Sequence, residues 1–107
     1  MSNLEQFEVV LVSLDPTVGS EIKKTRPCVI VSPNAMNQHL NTVIVAPMTS
    51  KGKPARFRAV TDFNDTNGQI LLDQLRVIDR ARMVKSLGYL PYKTTTAIKE
   101  ILLEMFA

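Results

Sequence analysis

The sequence has few of the side chains that most enzymes use for catalysis. Of its 107 residues, one is cysteine, one is histidine and none is tryptophan. The lone cysteine, Cys28, excludes an intrachain disulfide, and one cysteine with one histidine cannot form a zinc site. A histidine pair or a serine–histidine–aspartate triad is also excluded, since His39 lies in a predicted turn and is expected at the surface. With no phosphate-binding glycine motif either, an enzyme of this composition works without histidine, metal or cofactor.

Targeting and membrane segments are also missing. No apolar run is long enough to span a bilayer, and residues 1–5 have neither the charged start nor the apolar core of a signal peptide. We therefore expect a cytoplasmic protein. Apolar residues make up 45% of the chain, which is enough to bury a core at this length, and no linker or repeat interrupts it. We predict one domain over residues 1–107.

Basic residues are present and unevenly spread. The formal net charge is +3, which permits an anionic partner without requiring one. Two basic clusters stand out: Lys51, Lys53, Arg56 and Arg58, then Arg76, Arg80, Arg82 and Lys85. A solvated face explains either cluster as well as an anion-binding surface does, so both interpretations stay open.

Hydrophobic patterning predicts a small, mostly β protein of the α+β class. Apolar runs and alternation predict strands over residues 7–14, 28–32, 42–48, 55–60, 69–79 and 80–87. Turns are predicted over residues 33–38, 51–54 and 63–68. A helix is predicted over residues 94–106, because Ile98, Ile101, Leu102 and Met105 make one apolar stripe, and the threonines at 94–96 are candidate caps. These elements fit a barrel or sandwich covered by a helix.

Two of the predicted strands bring a cation close to a pair of hydroxyls. Matching the apolar runs sets Cys28 opposite Pro47, and continuing that register sets Arg26 opposite Thr49. Ser50 follows directly. A guanidinium beside hydroxyls at one end of a sheet is a plausible site for an anionic group.

RNA cleavage suits a chain without histidine or metal, because RNA carries its own nucleophile, the 2′-hydroxyl. Arginine supplies a permanent charge and a fork of donors that matches phosphate oxygens, and a threonine hydroxyl can donate to a non-bridging oxygen. Arg26 would be an unusual base, because an arginine side chain keeps its proton in water. Glu21, on the predicted loop over residues 15–25, is the alternative. Long loops in small domains are often functional.

Four segments resemble the MazF/PemK toxin family in order and spacing. They are Leu14-Asp15-Pro16-Thr17-Val18-Gly19-Ser20-Glu21, Arg26-Pro27, Ile44-Val45-Ala46-Pro47-Met48-Thr49-Ser50 and Leu72-Asp73-Gln74-Leu75-Arg76-Val77-Ile78-Asp79. The resemblance runs from about residue 7 to the C-terminal helix. It implies a sequence-specific, ribosome-independent endoribonuclease on an SH3-like, CcdB-like barrel. It also implies a homodimer, an antitoxin partner and single-stranded mRNA as substrate, with 2′,3′-cyclic phosphate and 5′-hydroxyl products.

The family's catalytic arginine and threonine fall on Arg26 and Thr49, and we add Glu21 as a third catalytic candidate. Candidate RNA contacts are Lys24, Ser50, Lys51, Lys53, Arg56, Asp73, Gln74 and Arg76. For Asp73 and Gln74, a structural hydrogen bond explains the interrupted apolar run about as well as RNA contact.

The chain departs from the family pattern in two places. Many members begin with Arg-Gly-Asp where this chain has Gln6-Phe7-Glu8, which touches no catalytic role. Some members use an arginine two residues before the Asp-Gln pair, and here that position is Leu71. This chain therefore cannot use the version of the mechanism that depends on that arginine.

Two alternative functions use the same fold without cleaving RNA. The related CcdB toxin poisons DNA gyrase by binding and relies on a tryptophan near its C-terminus, a residue that this chain lacks. The other alternative is a catalytically silent nucleic-acid-binding module of SH3-like fold. Salt-dependent binding without cleavage would be its signature.

Overall fold

Seven strands and two α-helices make up the described part of the chain, residues 3–14 and 24–107 of a computed structural model. The strands are β1 (Glu8–Ser13), β2 (Thr25–Ile30), β3 (Thr42–Thr49), β4 (Arg58–Phe63), β5 (Thr66–Leu71), β6 (Arg76–Asp79) and β7 (Met83–Tyr89). The helices are α1 (Asn34–His39) and α2 (Tyr92–Phe106), and two 3-10 turns cover Leu72–Gln74 and Arg80–Arg82. The predicted mostly β fold with a C-terminal helix is confirmed. Neither helix of the described residues is long and apolar enough to cross a membrane.

β3 is the strand on which the sheet is organised. The antiparallel order is β4-β5-β3-β2-β1-β7, and β6 also pairs with β3. Along its length β3 therefore meets β6 first, then β2, and finally β5. Its last two residues leave β2 and pair with β5, which places Thr49 where two parts of the sheet diverge.

The register predicted between β2 and β3 is confirmed. Cys28 lies opposite Pro47, Val29 opposite Ala46 and Ile30 opposite Val45. The two apolar runs set this register, because a slip by one residue would turn every buried side chain to the opposite face. The pairing ends at Cys28 and Pro47, because Met48 and Thr49 pair with β5 instead. The predicted pair of Arg26 with Thr49 is therefore not part of the ladder, and Arg26 reaches β3 through the Met48 carbonyl oxygen.

The single strand predicted over residues 69–79 is wrong. β5 and β6 are separate strands on the same edge of β3, with the 3-10 turn Leu72–Gln74 between them. An unbroken strand would set Val43 opposite Leu75, but Val43 lies opposite Ile78. The turn takes up this three-residue shift. It also buries Leu72 completely while Asp73 and Gln74 face solvent.

The predicted strand over residues 55–60 is displaced. β4 begins at Arg58, after Phe57 with a φ of 67°, and runs on to Phe63. A two-residue hairpin then leads directly into β5. Asn64 and Asp65 have φ values of 51° and 60°, the left-handed pair that suits the twist of a tight hairpin. The turn predicted over residues 63–68 is therefore shorter than expected, and Thr66 already belongs to a strand.

The C-terminal helix packs as its pattern predicts but begins earlier. Ile98 is fully buried, and Ile101, Leu102 and Met105 pack against the same cluster. α2 starts at Tyr92 behind Pro91, with no side-chain cap, so the predicted threonine caps are wrong. Thr94 is buried instead and shares a hydrogen bond of 3.1 Å with the Thr61 hydroxyl.

Both faces of the sheet are buried, and this explains why several strands read as continuous apolar runs. One core, under α2, includes Val9, Val29, Ala46, Ile70 and Ile98. The other, on the opposite face, includes Val10, Val12, Cys28, Ile30 and Val45. Arg26 continues the alternation of Cys28 and Ile30 and so lies at the end of the second core.

Candidate active site

Arg26 is held at the end of the second core by a backbone carbonyl. The side chain is half-buried, and its residue lies opposite Val12 of β1. Its Nε donates to the Met48 carbonyl oxygen at 3.1 Å. Among the described residues no carboxylate pairs with this guanidinium. The Met48 contact therefore fixes one edge of the guanidinium and leaves the Nη edge available for an anion.

Thr49 follows Met48 and begins a tight turn. Its Oγ1 accepts a hydrogen bond from the Lys51 backbone N–H at 3.2 Å. A hydroxyl has one hydrogen to donate and two lone pairs, so this contact leaves the hydrogen free. Thr49 can therefore donate to a phosphate oxygen, which is the role predicted for it.

A pocket of about 430 Å³ opens beside this turn. Met48, Thr49, Ser50 and Lys51 form one wall, the β4–β5 hairpin forms another with Asn64, Thr66, Asn67 and Gly68, and Pro27, Phe63 and Leu87 supply apolar surface. Three predicted site residues, Thr49, Ser50 and Lys51, thus line one cavity. Arg26 borders this region through its contact with Met48.

Gly68 lets the hairpin approach Thr49 closely. A Cβ at this position would lie 2.9 Å from the Thr49 carbonyl oxygen, a backbone atom that a side-chain rotation cannot relieve. The pairing of β3 with β5 at Thr49 and Gln69 therefore requires glycine here.

We expect Gly68→Ala to destabilise the protein by about 1–3 kcal/mol, since the added methyl group overpacks a backbone contact. Urea unfolding followed by circular dichroism will measure the loss, and the displaced Thr49 should also slow any activity at the site. Lys85→Ala, an exposed change on β7, serves as the control. If Gly68→Ala unfolds at the same urea concentration as the wild type, β3 and β5 accommodate the methyl group without loss of stability, and the prediction is wrong.

Cys28, two residues after Arg26, is a free and buried thiol. Burial raises the pKa of Cys28 to about 11, against the opposing effect of the Arg26 and Arg76 charges. The thiol is therefore protonated and inert near neutral pH. Arg76 lies on β6 opposite Val45, which lies opposite Ile30.

Asp73 is occupied by an ion pair. Arg58 Nε and Nη2 donate to the two carboxylate oxygens of Asp73, both at 3.1 Å. This hydrogen bonding lowers the pKa of Asp73, so the carboxyl stays ionised. The pair is partly exposed and joins β4 to the 3-10 turn Leu72–Gln74. Gln74 itself is exposed.

The remaining predicted contacts are spread around the site. Arg56 pairs with Glu104 of α2 and lies over the Phe57 ring, so it is already engaged within the chain. Lys53 is exposed on the loop before β4, and Lys24 is exposed two residues before Arg26. Glu21 lies outside the described residues.

Sequence reasoning missed the side chain that holds the Thr49 turn from the other strand. Gln69 Nε2 donates to the Lys51 carbonyl oxygen at 3.2 Å. In the sequence Gln69 looks like the polar start of an apolar run, and no local pattern links it to Lys51. Only the pairing of β5 with β3 brings the two together.

The described residues offer no metal site, because no three His, Cys, Asp or Glu side chains among them are grouped closely enough to bind an ion. The site they do form consists of a cavity lined by hydroxyls and Lys51, with the anchored guanidinium of Arg26 beside it. Such a site can bind a phosphodiester and stabilise charge on its oxygens.

Comparisons with known proteins identify the family of this chain. Residues 5–106 match the model of the PemK-like, MazF-like toxins of type II toxin–antitoxin systems. Two Escherichia coli proteins are similar: Endoribonuclease PemK is 40% identical, covering 94% of this chain and 78% of its own length, and Endoribonuclease toxin ChpB (strain K12) is 35% identical, covering 81% and 80%. A solved mycobacterial endoribonuclease in complex with its cognate antitoxin has a TM-score of 0.78 at 20% identity, with 94% and 92% covered. The chain therefore belongs to the PemK-like, MazF-like family of type II toxins.

Proposed function

We propose that this chain is the toxin of a type II toxin–antitoxin pair and acts as a sequence-specific, metal-independent and ribosome-independent endoribonuclease on single-stranded mRNA. The observation that carries the proposal is the contact between Arg26 Nε and the Met48 carbonyl, next to the Thr49 hydroxyl. Family membership supports it, since two curated relatives are named endoribonucleases.

The reaction uses the substrate's own nucleophile. The 2′-oxygen attacks the neighbouring phosphorus, its proton leaves, and the bond from phosphorus to the 5′-oxygen breaks. That oxygen takes a proton and becomes a 5′-hydroxyl, while the other fragment ends in a 2′,3′-cyclic phosphate. The free Nη edge of Arg26 and the Thr49 hydroxyl stabilise negative charge on the non-bridging oxygens.

Proton transfer requires a further group. A guanidinium that stays protonated is a poor base, so Glu21 stays our candidate for removing the 2′-proton. Asp73 is less suited, because Arg58 engages both of its oxygens.

The basic residues around the cavity would hold the RNA backbone. Lys51 and Ser50 line the pocket, and Arg76 is exposed on β6, which pairs with the other end of β3. Lys24, Lys53 and Gln74 are exposed and so free to contact RNA, whereas Arg56 would have to leave Glu104 to bind phosphate. Contacts of this kind make binding salt-dependent.

We also propose a homodimer, a cognate antitoxin partner and a cytoplasmic location. A solved structural neighbour is an endoribonuclease bound to its cognate antitoxin. Apolar side chains that a protein partner could cover are exposed on α2, with Leu103 71% and Phe106 72% accessible. Messenger RNA as substrate favours the cytoplasm.

The binding-only alternatives are not favoured, because the curated relatives are named as endoribonucleases. One experiment distinguishes the endoribonuclease from the binding-only alternatives. Purified protein with EDTA is incubated with a long RNA, the matching DNA, and an RNA carrying 2′-O-methyl groups at the mapped cut sites.

We expect discrete RNA fragments with cyclic phosphate ends and 5′-hydroxyls that a kinase labels directly. The DNA and the methylated RNA should stay intact, because neither offers the attacking 2′-hydroxyl. Cleavage of methylated RNA would contradict the mechanism. An inert protein that inhibits gyrase would instead support the binding-only toxin.

A further inference from the structure

The residue after the site hydroxyls, Lys51, has both of its backbone polar groups held by side chains of one cross-strand pair. Thr49 and Gln69 lie directly opposite each other on β3 and β5. Thr49 Oγ1 accepts from the Lys51 N–H at 3.2 Å, and Gln69 Nε2 donates to the Lys51 carbonyl at 3.2 Å. The direction of the Thr49 hydroxyl is therefore linked, through one backbone residue, to Gln69.

The turn is packed onto the Gln69 amide. Gly52, with a φ of 91°, follows Lys51, and a Cβ there would lie 3.5 Å from Gln69 Nε2. Left-handed backbone at this position is readily adopted only by glycine. The chain thus bends back at Gly52 over the amide that holds the preceding carbonyl.

Burying the Gln69 side chain has an energetic cost, because one of its polar atoms is unpaired. The side chain is only 5% exposed, and its Oε1 has no hydrogen-bond partner among the described residues. A buried unpaired acceptor is unfavourable, and an apolar side chain of similar length would avoid the penalty. Local costs of this kind are typical of functional sites.

We propose that Gln69 is a positioning residue of the RNA-cleaving site. Its Nε2 holds the Lys51 carbonyl, which fixes the turn and directs the Lys51 N–H at Thr49 Oγ1. With one lone pair so occupied, the Thr49 hydrogen is directed toward the bound phosphate. This role rests on the proposed endoribonuclease function and adds a specific determinant of its rate.

The test is a double-mutant cycle. Gln69→Met removes the donor at nearly constant volume, and Thr49→Val removes the hydroxyl. We expect Gln69→Met alone to lower kcat about tenfold, with KM changed less than about twofold and no fall in Tm. In the Thr49→Val background, Gln69→Met should cause no further loss. Gln38→Met, the same change at an exposed position of α1, is the matched control.

A second measurement does not depend on cleavage. Exchange of the Lys51 amide hydrogen, followed by NMR, should be about tenfold faster in Gln69→Met because the turn loses an anchor. Gln69→Leu provides a second variant should Gln69→Met fail to fold. Unchanged exchange in a folded variant would overturn the proposal.

The outcomes distinguish a failure of the positioning role of Gln69 from a failure of the proposed endoribonuclease function. If wild-type protein cleaves RNA and Gln69→Met matches it, the positioning role is wrong and the function stands. Equal losses of kcat in both Thr49 backgrounds would mean a general structural role and would also overturn the proposal. A wild-type protein that cleaves no RNA would overturn the function, and the positioning role with it.

Discussion

Replacing Arg26 with alanine will slow RNA cleavage by about 10³-fold, the largest loss we expect from a single substitution. The substitution removes the charge that faces the phosphate and the donors that bind its oxygens. Because Arg26 is anchored on the Met48 carbonyl at 3.1 Å, its remaining donors are held in place before substrate arrives. Pre-organised donors stabilise a transition state more than mobile ones do.

Arg26→Lys sharpens this prediction. Lysine keeps the positive charge but cannot hold the Met48 carbonyl and present a fork of donors at the same time. We expect a loss of about 10²-fold, smaller than that for alanine but far from neutral. Single-turnover cleavage of an RNA oligonucleotide with EDTA will measure both variants.

Lys93→Ala is the control for charge alone, because Lys93 is exposed at the start of α2 and belongs to no predicted site. It should cleave within about twofold of wild type. Arg26→Ala cleaving at that same rate would retain the function and reject the proposed site. A Lys variant as active as wild type would show that charge is enough and that the Met48 anchor has no catalytic role.

Thr49→Val will reduce kcat by about 10²-fold with little change in KM, the second-largest effect that we expect. Valine keeps the shape of threonine and loses only the hydroxyl, so the change removes the donor to the non-bridging oxygen. The Lys51 N–H also loses its partner, but Lys51 is exposed and water can replace the contact.

Thr49→Ser retains the hydroxyl and should stay within about fivefold of wild type. Thr95→Val makes the same chemical change on α2, where the hydroxyl donates only to the Tyr92 carbonyl, and should leave cleavage unaffected. Were Thr49→Val to raise KM and leave kcat unchanged, Thr49 would bind ground state and transition state equally. Full activity in both Thr49→Val and Thr49→Ser would indicate that Ser50, and not Thr49, donates to the phosphate oxygen.

Much of the site could be predicted because the strands that carry it have strongly apolar interiors. The register of β2 and β3 over Cys28–Ile30 followed from matching two apolar runs, and it brought Arg26 to the end of β3, where it contacts Met48. Matching two apolar runs along their length leaves few alternative registers for such strands. The C-terminal helix could also be predicted, because the apolar stripe through Ile98 repeats with the period of one helix face.

The parts that could not be predicted depend on how separate segments meet. The break between β5 and β6 is a shift of pairing along β3, and residues 69–79 contain no proline or glycine that would mark it. The same shift exposes Asp73, where Arg58 of β4 binds it. Arg56 likewise lies in a basic cluster by sequence, yet its partner Glu104 is 48 residues away.

The pattern of apolar residues was enough to predict the class of the fold and the register of β2 and β3 over Cys28–Ile30, with Arg26 at the end of that pair. It did so because burial of apolar side chains is a periodic, local signal. Only the tertiary structure decided that Arg26 is anchored by Met48, that Gln69 holds the turn behind Thr49, and that Gly68 permits the approach. Each of these is a contact between strands, and its geometry exists only after the sheet has closed.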